Sequence, residues 1–174
     1  MLSHGNVARQ PGSGTTKQRE SAAVLNRTLQ KLVSRAFPNE QTAQTIKARA
    51  NVHLANREET QACLLYREAV KLSSGNHLLH GNLAQALLQM GEFRDALKES
   101  VTACSLMPTW HKAHFRRGCA LQGLALHVHA LAAFSKCAAL IEANIQRCNG
   151  FGSSSKDLIA AKSKVLELWP YAIL

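Results

Sequence analysis

HLLHGNLAQALLQMGEFRDALKESVTACSLMPTW, His77 to Trp110, is the stretch on which the fold turns. Two apolar helical runs flank Gly91, whose backbone accepts the left-handed conformation that closes a tight interhelical turn. Phe93 opens the second run and Pro108 closes it, since proline cannot continue a helix. Moved by 34 residues in either direction, the pattern recurs. Ala62 becomes Ala96 and then Ala130, Ala69 becomes Ala103 and Cys137, Leu72 becomes Leu106 and Leu140, and Ala50 becomes Ala84 and Gly118. Every member is small or apolar, and the register holds without a gap over residues 43–144.

This period resembles the tetratricopeptide repeat, a helix–turn–helix unit with small residues where its helices A and B touch. The resemblance implies an all-α, right-handed α-solenoid of three repeats, 43–76, 77–110 and 111–144, with an N-terminal helix and a C-terminal capping helix. The outer repeats depart from the pattern. Arg57 and Ala125 stand at the turn glycine, and His80 and His114 at the aromatic position early in helix A. Outside the repeats, residues 1–16 read as a disordered tail rich in Gly, Ser and Thr. Residues 17–42 read as an N-terminal amphipathic helix and linker, with Leu25, Leu29, Leu32, Val33 and Ala36 on one stripe ended by Phe37-Pro38. A linker, 145–154, precedes a capping helix, 155–174. Ser155 or Asp157 is expected to cap that helix, and Leu158, Ile159, Val165, Leu166 and Leu168 to face the last repeat.

Hydrophobic residues make up 46% of the chain and charged residues 18%, an ordinary globular balance, and the formal charge is +10. That excess predicts an anionic partner. Taking the A helices as 43–56, 77–90 and 111–124, the basic residues are Lys47, Arg49, Lys112, Arg116 and Arg117, without a single acid. The positive field is therefore expected in the groove those helices line. The five cysteines form no CxxC pair and are odd in number, which fits a reduced cytoplasmic or nuclear setting. Cys63, Cys104 and Cys137 read as small core residues. No apolar run approaches the ~18 residues of a membrane span.

Along each A helix, positions 2, 5, 6 and 9 share the stripe facing the groove. They carry Lys47 and Asn51 in repeat one, Asn82 in repeat two, and Lys112 and Arg116 in repeat three. Lys112 and Arg116 lie one above the other on their helix, with no acid beside them. KARAN (47–51), HGN (80–82) and HKAHFR (111–116) resemble the two-carboxylate clamp of tetratricopeptide co-chaperones, although Ala50 replaces a usual glycine and Leu83 a common arginine. The resemblance implies a partner: the acidic C-terminal Glu-Glu-Val-Asp tail of 70- or 90-kDa heat-shock chaperones. A terminal aspartate offers two carboxylates, which lysine charges, the arginine fork and asparagine amides can all engage. Leu78, Gln85, Leu88, Gln89, Phe115 and Cys119 are the neighbouring groove positions expected to contact residues before that end, Cys119 being the candidate reactive thiol.

Competing readings are weaker. The pairs His77/His80 and His111/His114, with His127 and His129 nearby, invite a metal, but no carboxylate or thiolate sits at ligand spacing, and no metal or other cofactor is expected. No nucleophile–base spacing points to an enzyme, and GFGSSSKD lacks the strand and spacing of a phosphate loop. An adaptor that recruits a chaperone is the leading expectation. A scaffold serving a larger ubiquitin ligase or methyltransferase, or one binding another acidic peptide, is the alternative. RNA binding ranks lower despite the pI of 9.8, because the groove offers only Phe115 for base stacking.

Overall fold

The computed structural model describes residues 20–21, 23–29, 38–147 and 154–172. They fall in two compact units, residues 1–38 and 39–174. In the first, residues 20–21 and 23–29 are helical, the Thr28 hydroxyl donates to the Val24 carbonyl, and Leu25 and Leu29 are exposed. Leu32, Val33 and Ala36 of the expected stripe, the tail 1–16 and residues 148–153 of the expected linker lie outside the described residues.

The second unit runs α1 (Pro38–Ala55), α2 (Glu59–Leu72), α3 (His77–Gln89), α4 (Phe93–Leu106), α5 (His111–Gly123), α6 (His127–Arg147) and α7 (Ser154–Leu168), closed by a 3₁₀ turn at Trp169–Ala172. Pro38 is the first residue of α1, where the missing N–H costs nothing and the fixed φ suits the helix, while residues 30–37, where the preceding helix is expected to end, lie outside the described residues. Residues 38–42, expected as linker, are thus helical. Glu40 then ties this first turn to the α2–α3 connection by accepting from the Ser73 hydroxyl and the Asn76 amide. These bonds hold its carboxyl below the ordinary range, the Ser73 bond being the strongest influence. Asn76 also caps α3, its side chain accepting from the Leu78 N–H at 3.0 Å, an arrangement that contributes about 1 kcal/mol.

Each repeat closes its A–B turn in the same way. Glu58 N–H donates to His53 O, Glu92 to Leu87 and Leu126 to Leu121, each at 2.9 Å. These six-residue bonds need a left-handed residue just before the donor. Arg57, Gly91 and Ala125 supply it, with φ of 62°, 76° and 59°. The departures from glycine therefore leave the turn geometry intact, with strain at two of three sites.

Small residues let the helices approach. Ala62, Ala96 and Ala130 are fully buried, as are Ala69, Ala103, Ala50 and Ala84, and the Cys137 side chain is nearly so. The fourth series differs: Leu106 is exposed, and Leu72 and Leu140 are only half-buried. The main core gathers Ala50, Ala62, Tyr66, Leu83, Leu87 and Ala96, and a second surrounds Phe134, Leu121 and Leu168. The 21-residue α6 has the length and apolarity of a membrane-crossing helix, yet Ala130, Phe134, Cys137 and Ile141 are buried against its neighbours.

α7 packs on α6, as expected of a cap. Leu158, Val165 and Leu168 of the expected five face inward together with Ala161, while Ile159 and Leu166 are 67% and 74% exposed. The small Ala161 seats closely among Cys137, Ala138 and Ile141, and that close approach sets the helix's rotation.

Candidate functional site

The inner face is built by α1, α3 and α5. On α1, Asn51 Oδ1 accepts from the buried Tyr66 hydroxyl at 2.5 Å and from Asn82 Nδ2 at 3.5 Å. With the oxygen so occupied, the Asn51 amide is left to present its N–H groups to the groove. The Tyr66 hydroxyl comes from α2, and burial raises its pKa, so it stays a donor. Lys47 is half-buried and Lys112 exposed, and neither forms an ion pair among the described residues.

Arg116 is held most firmly. Its Nε donates to Gln85 Oε1 of α3 at 3.4 Å, and its guanidinium lies 5.3 Å from the centre of the Trp110 ring. Such a cation–π contact contributes about 1–2 kcal/mol when desolvated. Gly81 makes room for both groups: a Cβ there would sit 2.5 Å from the Trp110 ring and 2.6 Å from Arg116 Nη1. That Nη1 is buried and, among the described residues, has no hydrogen-bond partner. Burial lowers the pKa of the guanidinium, opposed by the nearby Tyr66 and Cys119. A buried donor without an acceptor costs about 1–3 kcal/mol, and here it is stored beside an opening.

The opening is a cavity of about 260 Å³ lined by Gln85 of α3, by His111, Lys112, Phe115 and Arg116 of α5, and by Asp157 and Ala160 of α7. The Asp157 carboxylate accepts from His111 Nε2 at 3.1 Å, so this residue, expected as a possible helix cap, fastens α7 to α5. Phe115 packs edge-on against Phe134 at 5.4 Å. The cavity thus has two cations, one acid already engaged, and an aromatic floor.

Of the five expected clamp residues, Asn51 and Asn82 meet between α1 and α3, Lys112 and Arg116 share the cavity, and Lys47 touches neither group among the described residues; the wider expectation of a basic groove is too broad. Arg49 and Arg117 occupy position 7 of their helices, well over a quarter-turn from the stripe at ~100° per residue. Arg49 is exposed to solvent, and Arg117 lines a separate outer cavity. Cys119 is half-buried, and burial raises its thiol pKa against the weaker pull of Lys164 and Arg116. That makes it a packing residue and not a reactive one. Leu88 leans on the main core, Gln89 is exposed and Leu78 is exposed at the rim. Sequence reasoning missed Tyr66, Trp110 and His111. Trp110 sits next to the HKAHFR motif, but nothing in its spacing announces a ring under Arg116.

Two of the histidines bridge the B–A turns. His80 Nε2 donates to the Ser74 carbonyl at 2.9 Å and His114 Nε2 to the Pro108 carbonyl at 2.8 Å, each six residues back across the B–A turn. His80 Nδ1 also donates to Glu99 at 2.7 Å.

No family model matches the chain. It is 38% identical over 88 residues to mouse tetratricopeptide repeat protein 28, a match covering 45% of this chain and 4% of that protein. It is 35% identical over 120 residues to the rat E3 ubiquitin-protein ligase TTC3, covering 69% of this chain and 6% of the ligase. The chain therefore spans only a small fraction of the length of these curated relatives. Among solved structures, the second TPR of Spaghetti (RPAP3) bound to HSP90 peptide SRMEEVD superposes with a TM-score of 0.59 at 28% identity, covering 61% of this chain and 98% of that one. With its gapless 34-residue period, its three identical A–B turns and these matches, the chain belongs to the tetratricopeptide-repeat family.

Proposed function

We propose that the chain is an adaptor that binds the acidic C-terminal tail of a 70- or 90-kDa heat-shock chaperone through Lys47, Asn51, Asn82, Lys112 and Arg116. The observation that carries this reading is Arg116, which lines a cavity beside Lys112 and whose buried Nη1 has no hydrogen-bond partner among the described residues. An incoming carboxylate supplies the missing acceptor and relieves the repulsion between the two cations. The solved domain that this chain resembles binds a peptide ending in Glu-Glu-Val-Asp, which is the class of ligand the cations favour. On this reading Gln85 and Phe115, which line the cavity, and the exposed Leu78 contact residues upstream of the acidic end. The reading assigns no catalysis to the chain and sets its work in the cytoplasm or nucleus.

Each charge-assisted bond contributes about 1.5–3 kcal/mol, and association costs roughly 4–15 kcal/mol. Affinity is therefore modest and falls with salt. Calorimetric titration with Met-Glu-Glu-Val-Asp tests the reading, beside a C-terminally amidated copy and an Arg116→Ala variant. Binding is expected to vanish on amidation and to weaken at least about tenfold in the variant. A folded protein that ignores the free peptide at low salt removes the reading. The similarity to a ubiquitin ligase supports a second reading, in which the same groove takes another acidic peptide as part of a larger enzyme. Amidation-insensitive binding of an internal acidic peptide would favour it.

A further inference from the structure

A second cavity, of about 310 Å³, lies between α5 and α6 and is lined by His114, Arg117, His129, Ala132, Ala133 and Lys136. His114 and Arg117 hold positions 4 and 7 of α5, on the side opposite the groove stripe, so this cavity is separate from the clamp. Four of its six lining residues are basic and none is acidic. None of the four forms an ion pair among the described residues. Arg117 Nε is buried and has no hydrogen-bond partner among those residues.

The internal repeat shows what is missing. Moving back 34 residues takes His114 to His80, Arg117 to Leu83, His129 to Asp95, Ala133 to Glu99 and Lys136 to Thr102. In repeat two the histidine is anchored twice, through Nε2 to the Ser74 carbonyl and through Nδ1 to the Glu99 carboxylate. In repeat three the carbonyl bond is kept, through Nε2 to Pro108, but alanine has replaced the acid. Meanwhile Leu83, Asp95 and Thr102 have given way to Arg, His and Lys. Two anionic side chains, Asp95 and Glu99, have been removed and three basic ones introduced, against the loss of one, since Ala132 stands where repeat two has Lys98.

We propose that this outer cavity of repeat three is a binding site for a phosphate group, which stands where Glu99 stands in repeat two. A single carboxylate would neutralise only one of the cations. A phosphate group carries about −1.5 to −2 charges near pH 7 and three strong acceptor oxygens. Arg117 supplies the planar donor fork that suits such oxygens and Lys136 a mobile point charge; His129 offers a ring N–H, and His114, whose Nε2–H is given to Pro108, donates from Nδ1 as the imidazolium. Free inorganic phosphate and a phosphorylated serine side chain share this chemistry.

The experiment follows the ring resonances of His114 and His129 by NMR in the full-length protein. One arm adds inorganic phosphate, another the blocked amino acid N-acetylphosphoserine amide, and a third its unphosphorylated counterpart. Saturable shifts of both rings are expected with the phosphorylated ligands and none with the third. Response to both ligands identifies a displayed phosphate as an accepted source, while response to inorganic phosphate alone confines the site to the free anion. Arg117→Gln is expected to weaken binding about tenfold or more, and the exposed Lys136→Gln severalfold. Ala133→Glu, which rebuilds the repeat-two arrangement, is expected to abolish binding, and Lys71→Gln on the distant α2 to leave it unchanged. The proposal is overturned if neither ring shows a saturable shift. It is equally overturned if Lys136→Gln and Ala133→Glu respond like the unaltered protein, since the shifts would then report only the overall positive charge.

Discussion

Repeats two and three share a backbone and differ in what their outer faces contain. In both, a histidine at position 4 bridges the B–A turn through a carbonyl. In repeat two its other nitrogen meets Glu99, while in repeat three it borders an open basic cavity. The same slot is therefore a closed structural pair in one repeat and part of an open basic cavity in the other. The difference teaches that a repeat fixes where side chains stand but not whether they are spent on stability.

The largest effect is expected from breaking the closed pair. His80 is 7% exposed, and its hydrogen bond to Glu99 raises its pKa, outweighing the opposing effect of burial. Glu99→Ala leaves the imidazole without that acceptor and is expected to cost about 1–3 kcal/mol, read as a lower midpoint in urea. The sign with pH follows from linkage. A raised folded pKa means that the pair's contribution is fully present below the unfolded value of about 6.5 and is lost as pH rises through the folded value. The gap between the unaltered protein and Glu99→Ala should therefore be widest in mildly acidic solution and shrink toward alkaline pH. A gap that widens toward alkaline pH, or stays constant, would show that His80 is neutral in the fold.

The A–B turns make the same comparison in the backbone. Gly91 takes φ of 76° freely, whereas Arg57 and Ala125 take 62° and 59° with a Cβ in the way. Left-handed backbone costs a non-glycine residue about 1–2 kcal/mol, partly offset by the extra freedom glycine has when unfolded. Arg57→Gly and Ala125→Gly should each stabilise by roughly 0.5–1 kcal/mol, and Gly91→Ala should destabilise by about 1 kcal/mol. In a thermal melt this is a shift of about 2–4 °C per kcal/mol. Stabilisation at neither position would mean that the turns relax locally when glycine is absent.

These turns also mark what the sequence makes legible. The 34-residue period and the slots at Arg57, Gly91 and Ala125 are periodic, so their placement follows from counting. The inner stripe of Lys47, Asn51, Asn82, Lys112 and Arg116 follows from helical geometry in the same way. Contacts between helices do not. Tyr66 orients Asn51 across 15 residues and Glu99 meets His80 across 19, pairings set by how α2 and α4 cross their partners. Counting charges by helix also misplaced Arg49 and Arg117, because a helix has two faces and only one lines the groove. On α7 the larger Ile159 and Leu166 looked like the packing residues, but the small Ala161 permits the closer approach and turns them outward.

The smallest effect belongs to position 19, where Asp95 of repeat two corresponds to His129 of repeat three. Asp95 accepts from Arg67 Nη2 at 3.3 Å, bridging α2 and α4. Both side chains are more than half exposed, so water screens the attraction, and holding two flexible side chains costs entropy. Asp95→Ala should change stability by no more than about 0.5 kcal/mol, and less as salt is added. A double-mutant cycle with Arg67→Ala isolates the pair. If the coupling is that small, repeat three gave up little stability at this position when a histidine took the place of the acid. Coupling well above 1 kcal/mol would instead mean that His129 stands at a position where an acid is structurally required, and that the basic outer cavity came at a real cost to the fold.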